Sequence, residues 1–219
     1  VQPLTCEEGG TLMSGLVARF PELAAVGDQP LMAGERHRID ANTSGLVLAA
    51  RTNAAFADMR AQFAARGVKK VYLALVQGQV AVGGHLANDL AHEPDSAVCR
   101  MVDAQTLGGG ARAMHAETDY KPIEWLGGYT LLEVTIFTGV THQIRAQLSL
   151  AGMPVVNDTL YGAKPVRGET RHFLHAASAT FTHPTRRQPC SIEAPLTEDF
   201  EAFLACRRAD GGSSGNRDF

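Results

Sequence analysis

Three short segments concentrate reactive polar groups beside apolar chain. The first runs His37-Arg38-Ile39-Asp40-Ala41-Asn42-Thr43-Ser44-Gly45 and sets one aspartate between two cationic side chains and a pair of hydroxyls. An aspartate in such a loop can close an Asx turn by accepting backbone N–H groups. It can also act as a nucleophile or general base where a neighbour keeps it ionised and aimed. The second segment, Lys70-Val71-Tyr72-Leu73-Ala74-Leu75-Val76, alternates as a strand would, with Lys70, Tyr72, Ala74 and Val76 on one face. Tyr72 there is either a core tyrosine with its hydroxyl at an edge or a flat platform for a planar base.

The third segment is Thr138-Gly139-Val140-Thr141-His142-Gln143-Ile144-Arg145, read as a turn into a short helix. Its His142 and Arg145 are three apart and share a side, while Ile144 and Leu148 point inward. Arg145 falls in the first turn, where the helix field disfavours a cation. It gains from an anionic neighbour, and Asp40 is the candidate; a surface position is the alternative.

Other site types fit poorly. The eight histidines include no HExxH spacing, and strand alternation sends His172 and His175 to opposite faces, so no metal site is expected. Ser14-Gly15 and Ser44-Gly45 do not make a nucleophile elbow. Cys6, Cys99, Cys190 and Cys206 lie far apart and form no CxxC pair, which suits reduced thiols.

The elements that must position these groups follow from pattern. Thr11 caps a helix carrying Leu12, Leu16, Val17 and Phe20, and residues 21–38 read as loop. Ser44–Ala50 reads as a strand. Thr52 or Asn53 caps a second helix with Phe56, Met59 and Phe63 on one stripe and Gly67 at its end. Residues 78–118 read as hairpins and loops, with a flexible turn at Gly108, Gly109 and Gly110. Strands are predicted at Tyr129–Phe137 and Leu174–Thr182, and Thr141 is the predicted cap of the short helix before Gly152. Thr197 caps a last helix with an acidic first turn that ends at Arg207 and Arg208, leaving 209–219 as a tail. Strands separated by irregular loops and few helices predict an α+β fold on a mixed sheet.

Composition bounds the rest. The 219 residues are 45% hydrophobic and 20% charged, which suits one globular domain over 1–208. No apolar run reaches membrane-spanning length and no secretory leader is visible, so a cytoplasmic monomer is expected. Twenty Lys and Arg against 23 Asp and Glu leave a net charge of -3, whereas a nucleic-acid binder needs a basic footprint. Any such footprint must be local; short basic clusters occur at Arg36 and Arg38, Lys69 and Lys70, 164–172, and Arg186 and Arg187.

Together the motifs resemble the RluA family of RNA pseudouridine synthases. The family's HRLD-x-x-TSGL stands as His37 to Leu46 with Ile39 for leucine, its Lys-x-Tyr-x-Ala-Leu-Val-x-Gly strand as Lys70 to Gly78, and its TGRTHQIR as Thr138 to Arg145 with Val140 for arginine. Asp158, Tyr161 and Gly162, then Leu174-His175-Ala176, His183-Pro184 and Ala194-Pro195-Leu196, follow in order, with Asn157 where glycine is favoured. The likeness covers about Thr11 to Phe203 and lacks the opening apolar strand that family members carry, so a catalytic domain short of its first strand is expected.

The resemblance implies a bent, mixed, mostly antiparallel sheet flanked by helices and loops around a central RNA-binding cleft. It implies that Asp40 attacks a flipped-out uridine, Tyr72 stacks on the base, Arg145 pairs with Asp40, and Arg38 holds the extruded nucleotide or its vacated place. His37, Thr43, Thr141, His142 and Gln143 complete the expected nucleotide-binding set. Ribosomal or transfer RNA is the implied partner, without metal or cofactor. The alternatives are a catalytically silent RNA-binding relative, or an unrelated carboxylate enzyme needing a second acid or base from Glu117, Asp119 or Glu133.

Overall fold

A computed structural model describes residues 10–28, 38–94, 100–107 and 112–213, the last three of these by backbone alone. The expectations for His37 and for the Gly108 to Gly110 turn lie outside the described residues. In chain order the elements are α1 (Leu12–Arg19), β1 (Ser44–Gly45), α2 (Asn53–Ala64), β2 (Lys69–Gln77), β3 (Gly84–His92), β4 (Met101–Asp103), β5 (Met114–Trp125), β6 (Tyr129–Ile136), α3 (Gln143–Leu150), β7 (Leu174–Thr182), β8 (Pro189–Glu193) and α4 (Glu198–Ser213).

The strands form one sheet in the order β1-β7-β2-β6-β5-β3-β4, with β8 also on β7. Every pairing is antiparallel except that of β1 with β7. This is the mixed, mostly antiparallel sheet with flanking helices that the motifs implied. β2 lies between β6 and β7 and is covered on both faces, which explains its nearly unbroken apolar run. Tyr72, Ala74 and Val76 pack with Leu132, Val134, Ile144 and Leu148 toward α3, while Leu75 packs with Phe173, Phe200, Phe203 and Leu204 toward α4. Lys70 opposes Ile136 and Tyr72 opposes Val134 on β6, so the predicted shared face of Lys70 and Tyr72 is the face that meets α3.

The predicted caps of the first two helices are formed: the Thr11 hydroxyl accepts from Ser14 N–H and the Thr52 hydroxyl from Ala55 N–H. Several boundaries differ from expectation. The strand expected over Ser44–Ala50 contracts to Ser44–Gly45, because Gly45 takes φ +102° and turns the chain after two ladder positions. The loop expected over 21–38 begins with a 3-10 turn at Pro21–Ala25, proline pre-setting its first residue.

Residues 78–118, read as hairpins and loops, hold all of β3 and β4 and the first part of β5. Thr141 does not cap α3: His142 is the N-cap in the left-handed region at φ +52°, and Gln143 Oε1 instead accepts from Val140 N–H at 3.1 Å. His172 precedes β7 rather than sharing it with His175, and both are buried. The last helix continues past Arg207 and Arg208 to Ser213, so part of the predicted tail is helical. Among the described residues no helix is long and apolar enough to cross a membrane.

Candidate active site

The loop carrying Asp40 is held at three points. Thr43 N–H donates to the Asp40 carbonyl at 2.9 Å and closes a tight turn. The Thr43 hydroxyl lies 2.9 Å from His172 Nε2, and the Ser44 hydroxyl 2.8 Å from His175 Nδ1. His175 Nε2 meets the Ala194 carbonyl at 3.3 Å and must donate there, so its Nδ1 accepts from Ser44. The third point is Gly45: a Cβ there would stand 2.2 Å from the Ala176 carbonyl oxygen, so only glycine lets this chain lie against β7. The two histidines are thus pegs for the Asp40 loop. Burial drops the His172 imidazole to about 4, assisted by the nearby Arg145 charge, and keeps it neutral.

Arg145, on the first turn of α3, meets the predicted partner. Its Nη1 donates to Asp40 Oδ2 at 3.0 Å. It also meets a second carboxylate that spacing had not assigned: Nε and Nη2 donate to the two oxygens of Asp158 at 2.6 and 2.8 Å. The side chains of Asp158, Arg145 and Asp40 are 1%, 8% and 22% exposed, which grades the trio from core to cleft. Burial works against the Arg145 charge, but the Asp158 hydrogen bonds and the charges of both aspartates outweigh it and raise its pKa. The bidentate pairing fixes the guanidinium plane and leaves Nη1 to donate to Asp40.

His142 stands on the other side of Asp40. The Tyr161 hydroxyl accepts from Met101 N–H at 2.8 Å and lies 3.0 Å from His142 Nδ1. Burial holds the Tyr161 phenol protonated, at about 12, and pushes the His142 imidazole below its ordinary value. The phenol therefore donates to Nδ1, and the proton of the neutral imidazole sits on Nε2, 3.8 Å from Asp40 Oδ1.

These groups open on a cleft of about 790 Å³ lined by Arg38, Asp40, Tyr72, Thr141, His142 and Arg145, with Phe63, Ile136 and Val140 among its apolar walls. Tyr72 is buried beneath it, and burial together with the Asp40 charge raises its phenol pKa. The cleft thus joins an aimed carboxylate to an aromatic floor. Arg38 is exposed at its mouth and Thr141 half-buried on its wall.

Other candidates are committed within the protein. Thr43 is spent on His172. Gln143 donates to the Glu117 carbonyl and the Thr118 hydroxyl and accepts from Thr138 Oγ1 and Val140 N–H, which fills its amide. It locks α3 to β5 together with Gln147, which binds Thr118, Asn88 and the Ala116 carbonyl. Glu117 pairs with Arg66 and His115, Asp119 with His85, and Glu133 with Lys121. None of the three supplies the second acid or base an unrelated carboxylate enzyme would need at Asp40.

Two of the departures from the family motifs, Val140 and Asn157, have structural reasons. Val140 packs with Leu90, Met101 and Tyr161, trading a cation for an apolar contact. Asn157 adopts φ +65°, a conformation asparagine tolerates where glycine would otherwise serve. Its side chain accepts from Val166 N–H at 2.8 Å and donates to the Arg171 carbonyl at 2.9 Å, tying down the segment that leads to His172.

Comparison with known proteins finds similar chains over most of the sequence. The family described as RNA pseudouridylate synthase matches residues 28–150. An uncharacterized RNA pseudouridine synthase of Chloroflexus aurantiacus is 36% identical over 207 residues, covering 93% of this chain and 62% of the relative. Ribosomal large subunit pseudouridine synthase D of Xanthomonas campestris is 33% identical over 223 residues, covering 96% and 64%. The chain thus spans a little under two thirds of the length of these curated relatives. Human RNA Pseudouridylate Synthase Domain Containing 1 superposes with a TM-score of 0.67 at 25% identity, covering 91% of this chain and 85% of that one. Human RNA Pseudouridylate Synthase Domain Containing 4 shares the fold with a TM-score of 0.62.

Proposed function

The chain belongs to the RNA pseudouridylate synthase family, and from that premise we propose that it isomerises uridine in RNA to pseudouridine with Asp40 as the reacting carboxylate. The reaction breaks the N1–C1′ bond, turns the uracil and joins C5 to C1′; C5 loses a proton and N1 gains one, without net redox change. Asp40 serves it either by attacking C1′ or by taking the 2′ proton, because Arg145 holds Oδ2 and aims the carboxylate, with Oδ1 3.8 Å from His142 Nε2. Tyr72 is the floor on which the detached base is held and turned. Arg38, exposed at the mouth, is placed to meet the RNA that surrounds the extruded nucleotide.

The observation that carries this reading is the 3.0 Å bond from Arg145 to Asp40 at the edge of a cleft floored by Tyr72. A uridine must leave its stack to reach Asp40 there. Relatives named for the ribosomal large subunit make its RNA the first substrate to assay. With RNA labelled by tritium at uridine C5, the wild-type protein should release label and Asp40→Asn should release none while still binding RNA. Release by Asp40→Asn at the wild-type rate would sink the assignment, and binding without release by the wild-type protein would mark a silent relative.

A further inference from the structure

Lys70 is a buried cation that this chemistry leaves unused. It is 5% exposed yet lines the cleft. Its Nζ donates to the Thr138 carbonyl at 2.9 Å and sits 5.7 Å from the centre of the Phe63 ring. Among the described residues no carboxylate pairs with it, whereas Arg145 has Asp40 and Asp158, and Arg66 at the same cleft has Glu117. Met114, Ile136, Phe137 and Val140 add apolar wall to the cleft, and the Phe63 ring face offers the ammonium a cation–π contact in place of a counter-ion. Burial alone, with no opposing charge, brings its pKa down to about 8.

An ammonium has three N–H donors, and the Thr138 carbonyl occupies one. Gly139 lies beside the ammonium, where a Cβ would come within ordinary contact at 3.7 Å from Nζ. A buried charge without a counter-ion is a standing cost to the fold. Retained on the wall of an open cleft, it points to an anion that arrives with the ligand. The position agrees, since Lys70 shares its strand face with Tyr72 two residues away, about 7 Å along the chain. That is the span from a base on the Tyr72 floor to a phosphate beside it.

We propose that Lys70 is an anion subsite of the cleft that takes a phosphodiester oxygen next to the nucleotide held over Tyr72. This rests on the reading of the cleft as an RNA site and deepens it, naming the backbone contact that anchors the extruded nucleotide.

The test measures binding of a fluorescein-labelled oligouridylate, and of in vitro transcribed large-subunit ribosomal RNA, across a salt series. Lys70→Met should weaken binding several-fold and lower the slope of log affinity against log salt by about 0.7 to 0.9, the signature of one lost phosphate contact. Lys70→Gln should do the same and stands in if the methionine variant misfolds. Both should melt no lower than wild type, which separates a binding cation from a structural one. An unchanged salt slope and affinity in a folded variant would overturn the subsite while leaving the proposed isomerisation intact. If the wild-type protein binds both RNAs without releasing tritium, the isomerisation falls and the Lys70 result still stands. If it binds neither RNA, both fall.

Discussion

Arg145 is shared by two carboxylates of very different burial, and removing each in turn should produce opposite defects. Asp158→Asn keeps the shape but takes the charge from a side chain 1% exposed that accepts two Arg145 hydrogen bonds. Breaking a buried pair by removing one partner costs about 3 to 5 kcal/mol. Asp40 still offsets part of the Arg145 charge, so the lower end applies, about 3 kcal/mol, or roughly 6 to 12 °C in Tm for a chain of this size. Asp40→Asn removes one single-pronged bond to a side chain 22% exposed and leaves the Asp158 fork intact. Its cost should be no more than about 1 kcal/mol.

Activity should run the other way. Asp40→Asn is stable and inert; Asp158→Asn is unstable and slowed, because a guanidinium without its fork can rotate and no longer aims the nucleophile. Urea melts followed by circular dichroism give the stabilities. Tritium release at a temperature where both variants are folded gives the rates, and anisotropy on RNA should show little change in affinity for either. If Asp158→Asn lies within about 1 kcal/mol of wild type, or Asp40→Asn is the more destabilised of the two, the division of labour described here is wrong.

His172 makes acid stability a second test. Its imidazole titrates near 4 in the folded protein against an ordinary 6.5, so the unfolded chain binds more protons between those values and stability falls as pH drops from 6.5 to 4, by on the order of 3 kcal/mol. His172→Gln should flatten that part of the stability–pH curve, and an unchanged curve would count against a neutral buried imidazole. Thr43→Val removes the partner of His172 Nε2 and should cost about 1 to 2 kcal/mol, with kcat reduced more than KM for RNA; the reverse split would place Thr43 on the RNA instead. Gly45→Ala drives a Cβ into the Ala176 carbonyl at φ +102° and should cost about 3 kcal/mol or more, read as a lowered Tm with loss of activity at all RNA concentrations.

Much of the site was legible because its residue types are costly where they stand. An arginine in a first helical turn asks for an anion, and an aspartate among hydroxyls and a glycine asks for a held loop; both requests are met in the fold. What stayed hidden depended on long-range contact or on weak pattern. Asp158 gives no local sign of its task, since Arg145 lies 13 residues away along the chain. The β3 and β5 strands alternate between buried and exposed positions, with polar pairs such as His85 and Asp119 on the open side. Small and polar residues, such as Ala87, Asn88 and Asp89 on β3 and His115, Glu117 and Thr118 on β5, carry much of that alternation, so the apolar period that marks a strand is weak. Gln143 stands out because it lies in a reactive motif; it lines the cleft, but its amide bonds to Glu117 and Thr118 of β5 and to Thr138 and Val140, contacts the motif does not show. Lys70 had a visible signal, a lysine in phase with Tyr72, Ala74 and Val76 on a face that had to be buried.

The charge balance of the site explains why two carboxylates on one guanidinium serve better than one. A lone Asp–Arg pair would aim the carboxylate but would also quench it, because the full positive charge stabilises the anion that must react. Asp158 takes two of the Arg145 bonds and compensates its charge from the buried side, so Asp40 receives a single N–H on Oδ2, and its Oδ1 lies 3.8 Å from His142 Nε2. On the proposed function, that division keeps the carboxylate aimed without giving it the whole of the guanidinium. The trio then carries a net negative charge at the edge of the cleft, and under the proposed function, in which the cleft admits a polyanion, this repulsion calls for a nearby cation that Asp40 does not already hold. Lys70, beyond Tyr72 on the same strand face and paired with no carboxylate among the described residues, is placed to offset it. On the proposed function, the arrangement assigns two electrostatic tasks to two cations: Arg145 holds the nucleophile and Lys70 holds the RNA.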